Sequence, residues 1–359
     1  MALSYYLSND SLNMEQRRNL SIDILKFIAV LLITNSHFDE QYTSFPQLAT
    51  GGAIGDVLFF FCSGYTLFLG RMGRFDAWYK RRIRRIYPSV LACALLTSFF
   101  WNYKTNLTVA LISGGEWFVC CILIYYILMY FIRKYLSEHL TWVYVGTSIM
   151  IVTWYVLFFD PFYSALHTPD GFFRNWLFAV PHSGVWIYKW NYLKWAMYFL
   201  FFLLGAHVGK LELHHKREYK APVVSIQLVA SIVLFYGIQW VCDNYPSTEW
   251  MQIVSLLPLL GVCLSMYRFT ETQFMLSIYA NKYCGWMIGV IGGLCLEIYL
   301  VQAWVRTTAL NHLFPLNLLI LFILIVLAAY VCRSMGRFLQ QTLSSEDGYR
   351  WQEIFGLRR

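Results

Sequence analysis

"DILKFIAVLLITNSH" (Asp23–His37) opens on a carboxylate and an ammonium and closes on an imidazole, and from Phe27 to Ile33 every residue is apolar. A run of this kind suits the hydrocarbon of a bilayer. Similar runs recur along the chain, which is 58% hydrophobic and 13% charged. A soluble domain carries about a quarter charged residues. The class read from this is an all-α, polytopic integral membrane protein. No β-barrel alternation is present. Aromatics reach 19%, and Trp and Tyr collect at membrane interfaces. The nine cysteines show no CxxC or metal-ligand spacing and lie mostly inside apolar runs. They predict neither a disulfide framework nor a metal site. The polar stretch Ser8–Arg18 does not read as a signal peptide.

About ten spans are expected, near 20–38, 52–70, 86–101, 116–132, 140–159, 195–208, 222–242, 251–267, 285–305 and 315–332. With a cytoplasmic N-terminus, alternation places 22 Lys and Arg in inside segments and five outside, with Lys26 within the first span. This asymmetry predicts that both termini are cytoplasmic. The net charge of +8 is then a cytoplasmic collar, not a nucleic-acid footprint. Membrane lipids are the expected surroundings, in a cell (inner or plasma) membrane.

On a helix, Asp23, Lys26, Thr34 and His37 fall within an arc of about 80°, interrupted by Val30. Charged groups within a span face a bundle interior or a wet cavity. His37 lies about 21 Å beyond Asp23 by helical rise. It reads either as an interfacial histidine ending a span or as a general acid/base, because its ordinary pKa lies near neutrality. In "GDVLFFFCSGYTLFLG" (Gly55–Gly70), Ser63-Gly64 allows close helix approach or forms a wall of a substrate tunnel. "RMGRFDAWYKRRIRRIYP" (Arg71–Pro88) follows. Arg82 and Arg85 there share a helix face. The elbow is either a positive-inside anchor or a phosphate grip, for which arginine's planar fork is suited. Glu116 is a candidate partner for His37, or simply a carboxylate at a helix start. Glu297 lies deep in the ninth span, where Lys26 is a possible partner. The loop 160–194, with Trp176, Trp186, Tyr188, Trp190, Tyr192, His167 and His182, is either an interface belt or a sugar platform.

Together these residues resemble the membrane-bound acyltransferase-3 family. The family pattern Asp-x2-[Arg/Lys]-x10-His is met by Asp23–His37. "FFFCSGY", "RIRRIYP" (Arg82–Pro88) and "LEIYLVQ" (Leu296–Gln302) follow in the family's order. The sequence departs from the pattern at Lys26 (more often Arg), at Ile24 (usually Gly) and at Gln302 (often His). The resemblance implies transfer of an acyl group, most often acetyl, from cytosolic acyl-CoA to a hydroxyl of a cell-surface polysaccharide or lipid-linked glycan. It implies acetyl-CoA or another acyl-CoA as donor substrate, with no permanently bound cofactor. Under it His37 and Glu116 are the catalytic candidates, and Arg82, Arg85, Lys26 and Ser63 the donor-binding ones. The expected organisation is a cytoplasmic segment 1–19, a membrane acyltransferase domain 20–332 and a cytoplasmic tail 333–359. The alternative is a transporter or flippase of a glycan or lipid precursor, which predicts internal repeats with broken helices in matching positions.

Overall fold

The computed structural model describes residues 20–100, 117–158, 191–212, 219–344 and 348–357. These hold thirteen α-helices and no strand. The helices are α1 Leu20–Ser36, α2 Gly52–Leu69, α3 Phe75–Phe100, α4 Trp117–Tyr135, α5 Leu140–Phe158, α6 Asn191–Glu212 and α7 Ala221–Asn244. They continue with α8 Leu256–Thr270, α9 Gln273–Ala280, α10 Lys282–Gly293, α11 Cys295–Val305, α12 Leu316–Thr342 and α13 Trp351–Phe355.

Eight of these, α2 to α8 and α12, are long and apolar enough to cross a membrane, α8 together with the 3-10 turns that lead into it. The chain is therefore a polytopic all-α membrane protein. The first expected span is α1, described over Leu20–Ser36. Two of the expected spans take a different form. The third begins eleven residues before 86, at Phe75, so Arg81–Arg85 form turns of the same helix that continues to Phe100. The ninth is broken: α10 and α11 meet at 73°. Gly292-Gly293 precede the break at Leu294, and paired small residues are a recognised cause of sharp kinks. Asn281 caps α10, its side chain accepting from the amides of Tyr283 and Cys284.

Contacts divide the chain into two compact units, residues 1–55, 71–127 and 273–359 in one, and 56–70 and 128–272 in the other. In the first unit α12 lies against α3 around Pro88, which sits inside the helix. A Cβ on Gly336 would stand 3.1 Å from the Pro88 carbonyl and from Ser89 Cα. Cys332 Sγ approaches the Ser89 carbonyl at 3.4 Å. α11 joins α3 through Cys93, whose thiol donates to the Leu300 carbonyl at 3.5 Å. α10 lies against α1, with the Gly292 Cβ position 3.0 Å from the Asp23 carbonyl.

In the second unit α2 and α6 touch backbone to backbone. A Cβ on Gly64 would fall 1.8 Å from the Phe202 carbonyl oxygen, and one on Gly205 2.0 Å from that of Phe61. Ser63-Gly64 thus serves close helix approach, which small residues permit in membranes. Beside this contact Glu212 accepts hydrogen bonds from the Tyr65 and Tyr267 hydroxyls, each at 2.7 Å.

Gly64→Ala and Gly205→Ala are each expected to cost about 1–3 kcal/mol by overpacking. Gly146→Ala and Gly237→Ala have nothing within 4 Å of the added Cβ and should leave stability unchanged or raised. Melting temperatures of the four purified variants in detergent decide this. Equal melting of the two pairs would contradict the contact.

Candidate active site

All described catalytic and donor-binding candidates except Ser63 lie in the first unit. Its polar groups gather at two ends of α1. At the C-terminal end the helix stops at Ser36, and His37 stands half-buried in the turn beyond. That turn is held from several directions. Asn35 Nδ2 donates to the Leu48 and Thr50 carbonyls at 2.8 and 2.9 Å, and Tyr42 donates to Asn35 Oδ1 at 2.7 Å. Asn311 donates to the Glu40 carbonyl at 2.8 Å and Asn317 to the Gln41 carbonyl at 3.0 Å. Arg306, just past α11, donates from Nη1 to the His37 carbonyl. The same nitrogen stands 3.8 Å from Asp39 Oδ1. Arg306 is one of the five basic residues that the charge count places outside, and its bond to the His37 carbonyl makes it a positioning residue for His37. His37 lies outside the helical span. Burial lowers its pKa, the Arg306 guanidinium lowers it further, and Asp39 opposes them. The neutral ring, the form that accepts a proton, therefore predominates at and above the ordinary histidine range.

The other end is rich in cations. Arg82 is half-buried, with its guanidinium 5.2 Å from the centroid of the Trp78 ring, a cation–π placement. Tyr126 is within electrostatic reach of Arg82, Arg85 and Cys295. Cys295, at the start of α11, is within reach of Lys26, Arg85 and Glu297. The hydrogen-bond partner of buried Glu297 is Ser89, whose hydroxyl donates to Oε1 at 2.6 Å. Lys26 shares this neighbourhood without bonding the carboxylate. Arg333 of α12 also enters it. Its Nη1 lies 3.5 Å from the Gly293 Cβ position.

Two polar stripes link the ends. On α1, Asp23 and Thr34 are buried, in line with Lys26 and His37. On neighbouring α11, Cys295, Gln302 and Arg306 recur at spacings of seven and four, which is one helix face. The helices run parallel, since Cys295 lies near Lys26 and Arg306 bonds the His37 carbonyl. Thr34 Oγ1 and Gln302 Oε1 are buried without a hydrogen-bond partner among the described residues. They lie three and four residues short of His37 and Arg306, so they occupy one level of the track.

Residues 19–334 match the acyltransferase-3 family model, described as an acyltransferase domain. The chain belongs to the acyltransferase-3 family. No curated protein and no solved structure matches it. The protein is thus a membrane acyltransferase. Ser63 of this acyltransferase lies in the second unit, where its carbonyl accepts from Thr66 at 3.3 Å. Glu116 and most of the aromatic loop 160–194 lie outside the described residues.

Arg306→Gln removes a cation that lowers the His37 pKa, so the acid limb of the acyl-transfer pH–rate profile should move to higher pH. Asp39→Asn removes a carboxylate that raises it, so the limb should move lower. Profiles of the two variants beside wild type test this. Shifts in the same direction, or none, would refute His37 as the titrating base.

Proposed function

We propose that this acyltransferase moves an acyl group, acetyl foremost, from cytosolic acyl-CoA to a hydroxyl of a cell-surface polysaccharide or lipid-linked glycan. The observation that carries this reading is the polar track, with arginines at one end, a histidine at the other and buried polar atoms between. A phosphate-bearing donor suits the arginine end, because guanidinium forks match phosphate oxygens. The distribution of basic residues puts that end, and both termini, on the cytoplasmic side, which suits the inner or plasma membrane. The acyl-bearing arm then extends along the track for the roughly 16 Å of rise between Lys26 and His37.

At the far end the neutral His37 ring takes the proton of the acceptor hydroxyl as that oxygen attacks the thioester carbonyl. The new C–O bond forms, the C–S bond breaks, and CoA thiolate departs and takes up the proton. In the two-step variant the imidazole nitrogen attacks first and carries the acyl group before the acceptor displaces it. Arg306 keeps the ring in place in either course. A transporter of inverted repeats would place broken helices in both halves of the chain. Among the described residues there is one bent pair, α10–α11.

The test uses purified protein in liposomes with radiolabelled acetyl-CoA, following CoA release and label on cell-envelope lipid-linked glycans. His37→Ala should lose on the order of 10²–10⁴-fold in turnover. Arg82→Gln and Arg85→Gln should each raise KM for the donor about tenfold, the worth of one charge-assisted hydrogen bond, with a smaller effect on kcat. Turnover in His37→Ala equal to wild type would end the general-base assignment. Wild type that binds no acyl-CoA would end the donor assignment.

A further inference from the structure

The cation cluster holds more positive charge than its carboxylates balance. Arg82 and Arg85 act on Tyr126, Lys26, Arg85 and Glu297 on Cys295, and Arg333 reaches Gly293 two residues before it, with Asp23 on the adjoining turn of α1. Glu297 is already engaged by the Ser89 hydroxyl. Arg333 is the most enclosed of the four cations at 9% exposure. Its Nη1 has no hydrogen-bond partner among the described residues. A buried guanidinium needs an anion or a set of acceptors to offset its lost hydration. Arg333 is directed at the α10–α11 break, with Nη1 over Gly293 and two residues from the first turn of α11. The N-cap residue of α11, Leu294, makes no side-chain capping hydrogen bond. The leading amides of a helix point outward and carry partial positive charge.

The depth of Arg333 follows from packing. α3 and α12 run antiparallel, since Gly336 meets Pro88 while Cys332 meets Ser89 and Cys93. The backbone of Arg333 therefore lies level with Pro88 or beyond it, and its guanidinium reaches Gly293, next to Gly292, whose Cβ position meets the Asp23 carbonyl and Lys26 Cβ. Arg333 thus joins Lys26 at the arginine end of the track.

We propose that Arg333 and the N-terminus of α11 form a second phosphate subsite that holds the diphosphate of the donor, next to its acyl-bearing arm. This rests on the acyl-CoA reading. Arg82 and Arg85, on the turns of α3 before Pro88, are left to hold the 3′-phosphate end.

Binding of CoA, dephospho-CoA and pantetheine to the full-length protein in detergent tests the assignment. In wild type, dephospho-CoA should bind at least tenfold tighter than pantetheine. Arg333→Gln should weaken CoA and dephospho-CoA by the same factor, tenfold or more, and leave pantetheine unchanged. Gly293→Leu, which fills the space before Arg333 without removing its charge, should do the same. Arg85→Gln should weaken CoA more than dephospho-CoA. If pantetheine equals dephospho-CoA in wild type, there is no diphosphate subsite, a result that needs no variant to fold. If Arg333→Gln keeps the wild-type melting temperature and wild-type dephospho-CoA affinity, Arg333 is not the ligand. If phosphatidylglycerol added to the micelles displaces dephospho-CoA from wild type but not from Arg333→Gln, the subsite belongs to a lipid headgroup and the proposal fails. Absence of any CoA binding in wild type overturns the donor reading itself, whereas the other failures leave that reading standing.

Discussion

Within a bilayer a carboxylate has no water to turn to, and its partner must come from the protein. Glu297 finds the Ser89 hydroxyl at 2.6 Å, and this bond sets how α11 is rotated. Glu297 is two residues from Cys295, about 200° around the helix. Turning the carboxylate toward α3 therefore directs the face of Cys295, Gln302 and Arg306 away from it, toward α1. Arg306 then reaches the His37 carbonyl, and Cys295 comes into the neighbourhood of Lys26. One hydrogen bond between a serine and a glutamate thus orients the stripe that the whole track depends on.

The break between α10 and α11 makes that rotation possible. A continuous helix over 282–305 would fix its two halves in one phase. The 73° bend lets α10 follow α1 closely while α11 takes its own direction. Gly292 is required for the first part, because a side chain there would press on the Asp23 carbonyl at 3.0 Å. The bend also starts a new helix inside the first unit, so leading amides that a continuous helix would have satisfied are set beside Arg333. Small residues in this chain act mainly by letting backbones approach, as Gly64 and Gly205 do between α2 and α6.

Much of this was legible in the sequence. Apolar length and charge give the fold class, because hydrocarbon thickness and the positive-inside bias act on composition alone. The stripe on α1 and the shared face of Arg82 and Arg85 are helical geometry, and burial of Asp23 and Thr34 agrees with it. Arg306 and Arg333 were not legible. Each follows or ends an apolar run, where a cation ordinarily anchors a span at the headgroups, and only tertiary contact separates an anchor from an inward-facing group. The bend was hidden because Gly-Gly in an apolar run serves close packing as readily as a kink. In the sequence Glu297 reads as intramembrane, with Lys26 a possible partner by charge. Its bond is to a neutral serine, an outcome that charge matching along a sequence has no means of finding.

Polar groups in the first unit serve two tasks, although buried unbonded atoms, Gln41 Oε1, Arg306 Nε and Asn317 Oδ1 among them, occur at the His37 end as well. The turn around His37 is tied by Asn35, Tyr42, Asn311, Asn317 and Arg306, so the ring sits on a rigid support at the end of a helix. Along the track, Thr34 Oγ1, Gln302 Oε1 and Arg333 Nη1 are buried and unbonded among the described residues. Rigidity at the reacting end serves geometry, since a general base must lie within hydrogen-bond reach of the proton it removes. Unspent hydrogen-bonding capacity along the way serves a polar ligand that completes what the protein leaves open.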